Sequence, residues 1–330
     1  VGHGGSGCRV APAYRGGIRY RFFLRAYGLT EGEVRREGDG AVLRRLGELL
    51  AASREVDGAV CLALDATFGP DGKPDWGATP LCVPDEFVAG ARRVHPRLHF
   101  GASVHPHRPD ARERLHLARE SGALLVKWLP PVQRIDPADR RHVPFYETLA
   151  ALDLPLLTHT GVEYSLPGGR HHLGDPERLA LPLEVGVTVI AAHAAQSGRT
   201  GGEANHLRLH RLAARFPRLY ADLSSLTQLN RLGGIPRALA DPALRGRLLY
   251  GTDMPVANTP LVWPWAFAPR IGLAEAREAA REANPWDRDV RLKRALGVPD
   301  DAFTLPARLL LPREHSAPSA RKMRAVRQKS

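Results

Sequence analysis

A parallel α/β sheet closed into a (βα)8 TIM-type barrel is the fold that this 330-residue chain predicts. Two observations carry it: short apolar runs alternate with segments of helical spacing, and an ionisable residue ends one run after another. In order, the runs fall at 56–65 (VDGAVCLALD), 97–105 (RLHFGASVH), 123–129 (ALLVKWL), 154–159 (LPLLTH), 186–193 (GVTVIAAH), 218–224 (RLYADLS) and 247–253 (RLLYGTD). From the second onward they start 26 to 32 residues apart, with helical periodicity between them at 110–121, 144–152 and 203–215. The first interval is longer because the Gly/Pro-rich stretch 66–84 follows the first run. Residues 254–287, with Trp263, Trp265 and Trp286, read as an elaborated loop and helix after the last strand.

An open doubly wound sheet has the same alternation, and the strand ends separate the two architectures. Asp65, His105, Lys127, His159, His193, Asp222 and Asp253 all stand at or near the C-terminal ends of runs. A barrel gathers such ends into one mouth, whereas an open sheet strings them along an edge. No composition break divides the chain, so residues 1–310 read as one barrel domain and 311–330 as a basic, solvated tail.

Composition excludes several function classes. The net charge is +12, but the tail alone holds six basic residues against Glu314, and the remaining excess is dispersed. No specific nucleic-acid partner is expected. No stretch approaches the roughly 20 apolar residues that span a bilayer, so no membrane partner is expected and the location reads as cytoplasmic. Three cysteines, Cys8, Cys61 and Cys82, are too few for a disulfide framework or a zinc ribbon. The run Gly2 to Gly7 matches the dinucleotide pattern GxGxxG, yet no strand precedes it and Pro12, Gly16 and Gly17 make the following segment poor helix material. It reads as a loop.

Any one histidine at a strand end is most simply a satisfied rim group. His159, His193 and Asp253 together are harder to dismiss, because two neutral imidazoles and a carboxylate from separate strands suit zinc, manganese or iron at an open site. Lys127, flanked by Leu124, Leu125, Val126, Trp128 and Leu129, is a second sharp point. A buried amine needs a counter-charge or neutralisation, so Lys127 reads as a mouth salt bridge or a substrate-anion clamp.

These pieces resemble the amidohydrolase superfamily, in particular its amidohydrolase-related branch: VKWLPP, PLLTHTG, VIAAHAA and LLYGTDMP occur in the order of that family's strands four, five, six and eight. The resemblance implies a metal-dependent hydrolase with His159, His193, Asp253 and Lys127 at the metal, zinc first, as one or two ions; similarity to the binuclear relatives would make Lys127 a carbamate bridging two metals. It implies Asp253 and His193 as catalytic groups acting on an amide, ester or lactone of a small molecule. Non-oxidative decarboxylation is the alternative within the same branch. Substrate contacts are expected from loop residues Arg134, Glu163 and His172, and a homo-oligomer is compatible. The family's first strand ends in a His-x-His pair that has no counterpart here; His105-Pro106-His107 follows a later strand and reads as a rim feature. The expectation is therefore a barrel lacking strand one, a truncated and inactive member being one reading.

Overall fold

The computed structural model describes residue 2 and residues 5–311; the basic tail lies almost wholly outside them. All seven predicted strands form: β1 Ala59–Leu62, β2 Leu98–Ala102, β3 Ala123–Trp128, β4 Leu156–His159, β5 Val189–Ala192, β6 Leu219–Asp222 and β7 Leu248–Leu249. They make one parallel sheet in sequence order, β1 beside β2 through to β6 beside β7. A doubly wound sheet reverses strand order at a switch point. This one never does, which decides for a barrel progression.

Burial explains the composition of the strands. β5 is buried along its whole length, and β3 is buried everywhere except Lys127, as expected for a sheet covered on both faces. Helices fill the outer layer where spacing predicted them. Ala111–Glu120 buries Leu115 and Ala118, Val143–Ala151 buries Phe145, Tyr146 and Leu149, and Asn205–Arg215 buries Leu209, Leu212 and Ala213. At 0.8 kcal/mol or so per buried CH2, these apolar stripes hold the helices to the sheet.

Strands β1 and β7 are the sheet edges and do not pair with each other. Helix Gly40–Ala52 packs in this region, with Leu43, Leu50 and Leu98 clustered around Trp286 and Met254. Polar ties reinforce the closure: Asn284 Nδ2 donates to the Leu49 carbonyl at 2.8 Å and Ser53 Oγ to Asp287 at 2.5 Å.

The amino-terminal segment corrects one expectation. Despite Pro12, Gly16 and Gly17, helices form at Pro12–Arg15 and Ile18–Ala26. Pro12 occupies the first helical turn, where its missing N–H costs nothing, and the glycines fall between the helices. Among the described residues no helix is long and apolar enough to cross a membrane.

Candidate metal centre

The mouth is built on irregular backbone. His193, Ser225 and Asp253, each just past its strand, adopt positive φ of 60°, 60° and 59°. Such non-glycine conformations cost about 1–3 kcal/mol each and persist only where surrounding structure enforces them. The turn after β4 uses glycine instead. Gly161 has φ +88°, and a Cβ there would lie 2.5 Å from the Ser197 carbonyl oxygen. That tight turn returns Glu163 to His159, four residues earlier.

His159 and His193 meet edge to face with ring centroids 5.1 Å apart. The His159 Nδ1 lies 3.3 Å from Glu163 Oε2, while its buried Nε2 has no partner. Glu163 is itself held by the backbone N–H groups of Ser165 and Leu166. The His193 Nδ1 faces Ser224, 2.8 Å from its Oγ and 3.2 Å from its carbonyl. Ser224 Oγ donates to Asp222 Oδ1 at 2.5 Å, and the same oxygen accepts the His193 backbone N–H at 2.9 Å. Each ring thus uses Nδ1 toward a carboxylate, directly or through a serine, and leaves Nε2 as a lone-pair donor. Outer carboxylates that orient histidine in this way are typical of metal sites.

Electrostatics agree. Burial, followed by the cations of Lys127 and Arg231, pushes His159 down to about 3. Burial, then Arg231, pushes His193 well below the usual imidazole range. Both rings are neutral, the form that ligates. Burial lowers Lys127, opposed by the carboxylates of Asp222, Asp253 and Glu163, and it raises Glu163. Asp253 opens toward solvent and accepts a hydrogen bond from Ser225 Oγ at Oδ2. A neutral imidazole pair, an orphaned buried nitrogen and an adjacent open carboxylate are the donor types a divalent ion takes, although their ligand atoms are not all within 4.8 Å of one another as they stand.

Sequence reasoning missed Arg231. The residue is 8% exposed, and its guanidinium feels Asp253, Glu163 and Asp222 and leaves Nε and Nη1 without partners. It stands in the 3-10 turn Leu229–Arg231, where no periodicity or motif marks it. Ser224 and Ser225 were equally silent. Two expected substrate residues are not brought to the imidazole pair. Arg134 caps a short helix in left-handed conformation and pairs with Asp75 at 3.4 Å, and His172 is exposed on the turn His171–Gly174. The strand-end residues Asp65 and His105 serve structure. Asp65 accepts from the His105 backbone N–H at 2.9 Å and from Arg108 at 3.2 Å.

Comparison with solved structures places the chain near an uncharacterized TIM-barrel protein from Bordetella bronchiseptica, 20% identical over 85% of this chain and 91% of that one, TM-score 0.52. A probable 2-pyrone-4,6-dicarboxylic acid hydrolase from Acinetobacter baumannii, with citric acid bound, is 11% identical over 81% and 88%, TM-score 0.48. A 2,6-dihydroxybenzoate decarboxylase from Rhizobium is 15% identical over 76% and 87%, TM-score 0.43. Comparison with curated proteins gave no match. The Amidohydrolase family profile matches residues 51–285, which spans every strand of the sheet. The chain belongs to the amidohydrolase family.

Proposed function

We propose that the protein is a metal-dependent hydrolase that cleaves a carbonyl bond, an ester, lactone or amide, in a small molecule bearing a carboxylate. The observation that carries this reading is the pair of neutral imidazoles, the His159 Nε2 buried without a partner, beside a buried Arg231 whose Nε and Nη1 are unpartnered. His159, His193 and Asp253 would hold the divalent ion, zinc in the first instance, which when bound supplies Lewis acidity toward the carbonyl and acidifies water.

The chain's own groups do the rest. Asp253 has an open carboxylate to accept a proton from the attacking water and return it to the leaving group. Ser225 fixes which oxygen is free for that transfer. Glu163 and the Asp222–Ser224 pair hold the two imidazole tautomers. Arg231 offers unsatisfied N–H donors in a planar fork suited to a substrate carboxylate. Lys127, facing Asp222, Asp253 and Glu163, fits an ammonium better than a carbamate, which would add a further negative charge to that set; a single ion is the matching stoichiometry. Decarboxylation by the same ligands remains the competing chemistry.

The test combines metal analysis with product analysis. Purified protein should hold about one divalent ion at this centre, with His159→Ala and Asp253→Ala losing ion and turnover together. Arg231→Met should raise KM for carboxylate-bearing esters and lactones while metal stays bound. Lys127→Ala should also keep its metal. Loss of metal in Lys127→Ala would restore the bridging carbamate, and release of CO2 as the product would replace hydrolysis by decarboxylation.

A further inference from the structure

A second histidine cluster lies outside the barrel mouth. The chain leaving β2 turns through His105-Pro106-His107, and the chain leaving β3 reaches the 3-10 turn Arg140–His142. There, one ligand atom each from His107, Asp139 and His142 lies within 4.8 Å of the others. His142 is 2% exposed, and both of its ring nitrogens, like both of those of His107, are buried without a hydrogen-bond partner.

Packing does not account for these four nitrogens. The rings do stack: His105 to His107 at 5.0 Å, His107 to His142 at 5.2 Å, and His142 to Trp128 at 6.2 Å. Stacking satisfies ring faces and edges, whereas the nitrogen lone pairs and N–H groups lie in the ring plane. His105 shows what a satisfied member looks like. Its Nε2 meets the Gln133 carbonyl at 2.9 Å and its Nδ1 accepts the His107 backbone N–H at 3.1 Å. His105 is therefore spoken for, and it fixes the backbone from which His107 projects.

The third group is already an anion in place. Asp139 accepts the Arg141 backbone N–H at 3.0 Å, capping the turn, and a 3-10 helix with three residues per turn sets Asp139 and His142 on one side. The exposed Arg141 side chain also pairs with Asp139, through Nε at 3.1 and 2.9 Å and Nη2 at 2.5 Å, so an ion would share that carboxylate with the guanidinium or displace it.

The cluster is distinct from the mouth by strand geometry. Successive strand residues point to opposite faces, so Lys127 and Trp128 diverge. Trp128 packs on Phe145 and Tyr146 of the outer helix layer, and His142 packs with it.

We propose that His107, Asp139 and His142 bind one divalent transition ion of the zinc class, with water completing a tetrahedral shell, at a site separate from His159 and His193. Two imidazoles and a carboxylate are the donor set such an ion takes at bonds of about 2.0–2.2 Å. Ligand atoms around it stand about 3.4 Å apart by that geometry, so side-chain rotations close the cluster. The ion ties the loop after β2 to the loop after β3.

The experiment uses the full chain, stripped with chelator and dialysed against micromolar Zn2+, with metal per chain measured by plasma mass spectrometry. In a His159→Ala/Asp253→Asn background, which removes two of the three mouth ligands, one Zn2+ per chain should remain. Adding His107→Gln should abolish it, and adding Asp139→Asn, which still caps the turn, should weaken it roughly tenfold or more. Near-UV circular dichroism verifies that each variant is folded. Co2+ in the same background should give the intense visible bands of a tetrahedral site. A folded background protein that binds neither Zn2+ nor Co2+, or zinc content unchanged by His107→Gln, overturns the proposal. Failure of the mouth centre alone would appear as one ion in the unsubstituted chain, lost on His107→Gln.

Discussion

Lys293 is fully buried, and replacing it should test how the mouth is held from behind. Its ammonium donates to Asp289 Oδ2 at 2.5 Å and to the Gly251 carbonyl at 2.7 Å, and Asp289 Oδ1 accepts from Thr227 Oγ1 at 2.8 Å. One ion pair thus pins the segments that lead into Asp253 and out of Ser225. Lys293→Met fills the space but leaves Asp289 as a buried charge with a single hydroxyl donor, a loss of about 3–5 kcal/mol. Against a total stability of roughly 5–15 kcal/mol, that is large. With a urea dependence of about 3 kcal/mol/M, the midpoint should fall by roughly 1–1.7 M. Lys293→Met/Asp289→Leu removes both charges and should recover most of the loss, since apolar replacements of buried pairs are often neutral. Lys293→Met should also bind metal at the mouth more weakly under folding conditions, because Gly251 and Thr227 lose their tether. A loss below about 1 kcal/mol for the single variant, or a double variant no better than the single, would refute the argument.

Three more outcomes follow from buried groups and one tight turn. Burial holds His105 and His159 near 3, His142 near 4 and His193 well below the ordinary value. Folded values below unfolded ones mean that the unfolded chain takes up protons that the native chain refuses, so stability falls as pH drops below about 6.5. Chelated protein should lose thermal midpoint steeply between pH 6.5 and 4, and a flat profile there would show the rings to be solvated. Asp85 has the opposite sign: burial raises it to about 7. The native chain keeps a proton that the unfolded chain has lost, and stability drains as pH rises from about 4 to 7. Asp85→Asn should therefore gain on the parent in melting temperature on going from pH 5 to pH 8, while still accepting the Ser103 N–H. Gly161→Ala should be destabilising by a few kcal/mol, from about 1 for its positive φ plus the clash with Ser197, and should weaken metal binding through His159; wild-type affinity in that variant would release the turn from its assigned role.

The legible parts of the molecule were those written in local periodicity. Apolar runs marked the strands, most plainly the inner ones that are covered on both faces, and His159 and His193, whose ring centroids stand 5.1 Å apart, stood out because each ends such a run. Strand order confirmed what the spacing of those ends implied. Invisible were the groups whose role depends on who faces them. Arg231, Ser224 and Ser225 sit in irregular turns, and nothing in the string TQLNR distinguishes a buried guanidinium from a solvated one. Arg134 shows the converse: a basic residue just past a strand invites a substrate role, and in the structure its partner is Asp75 at 3.4 Å. His105-Pro106-His107 was read as rim, because its partner is thirty-odd residues away on a turn with no strand signal of its own. Asp139-x-x-His142 is the clue that was present. Three-residue spacing places a carboxylate and an imidazole on one side of a helical turn, and here that turn is a 3-10 turn capped by Asp139. The same residue therefore builds the local fold and supplies the charge that the neighbouring imidazoles lack, which is why the cluster's chemistry became readable only once its backbone was known.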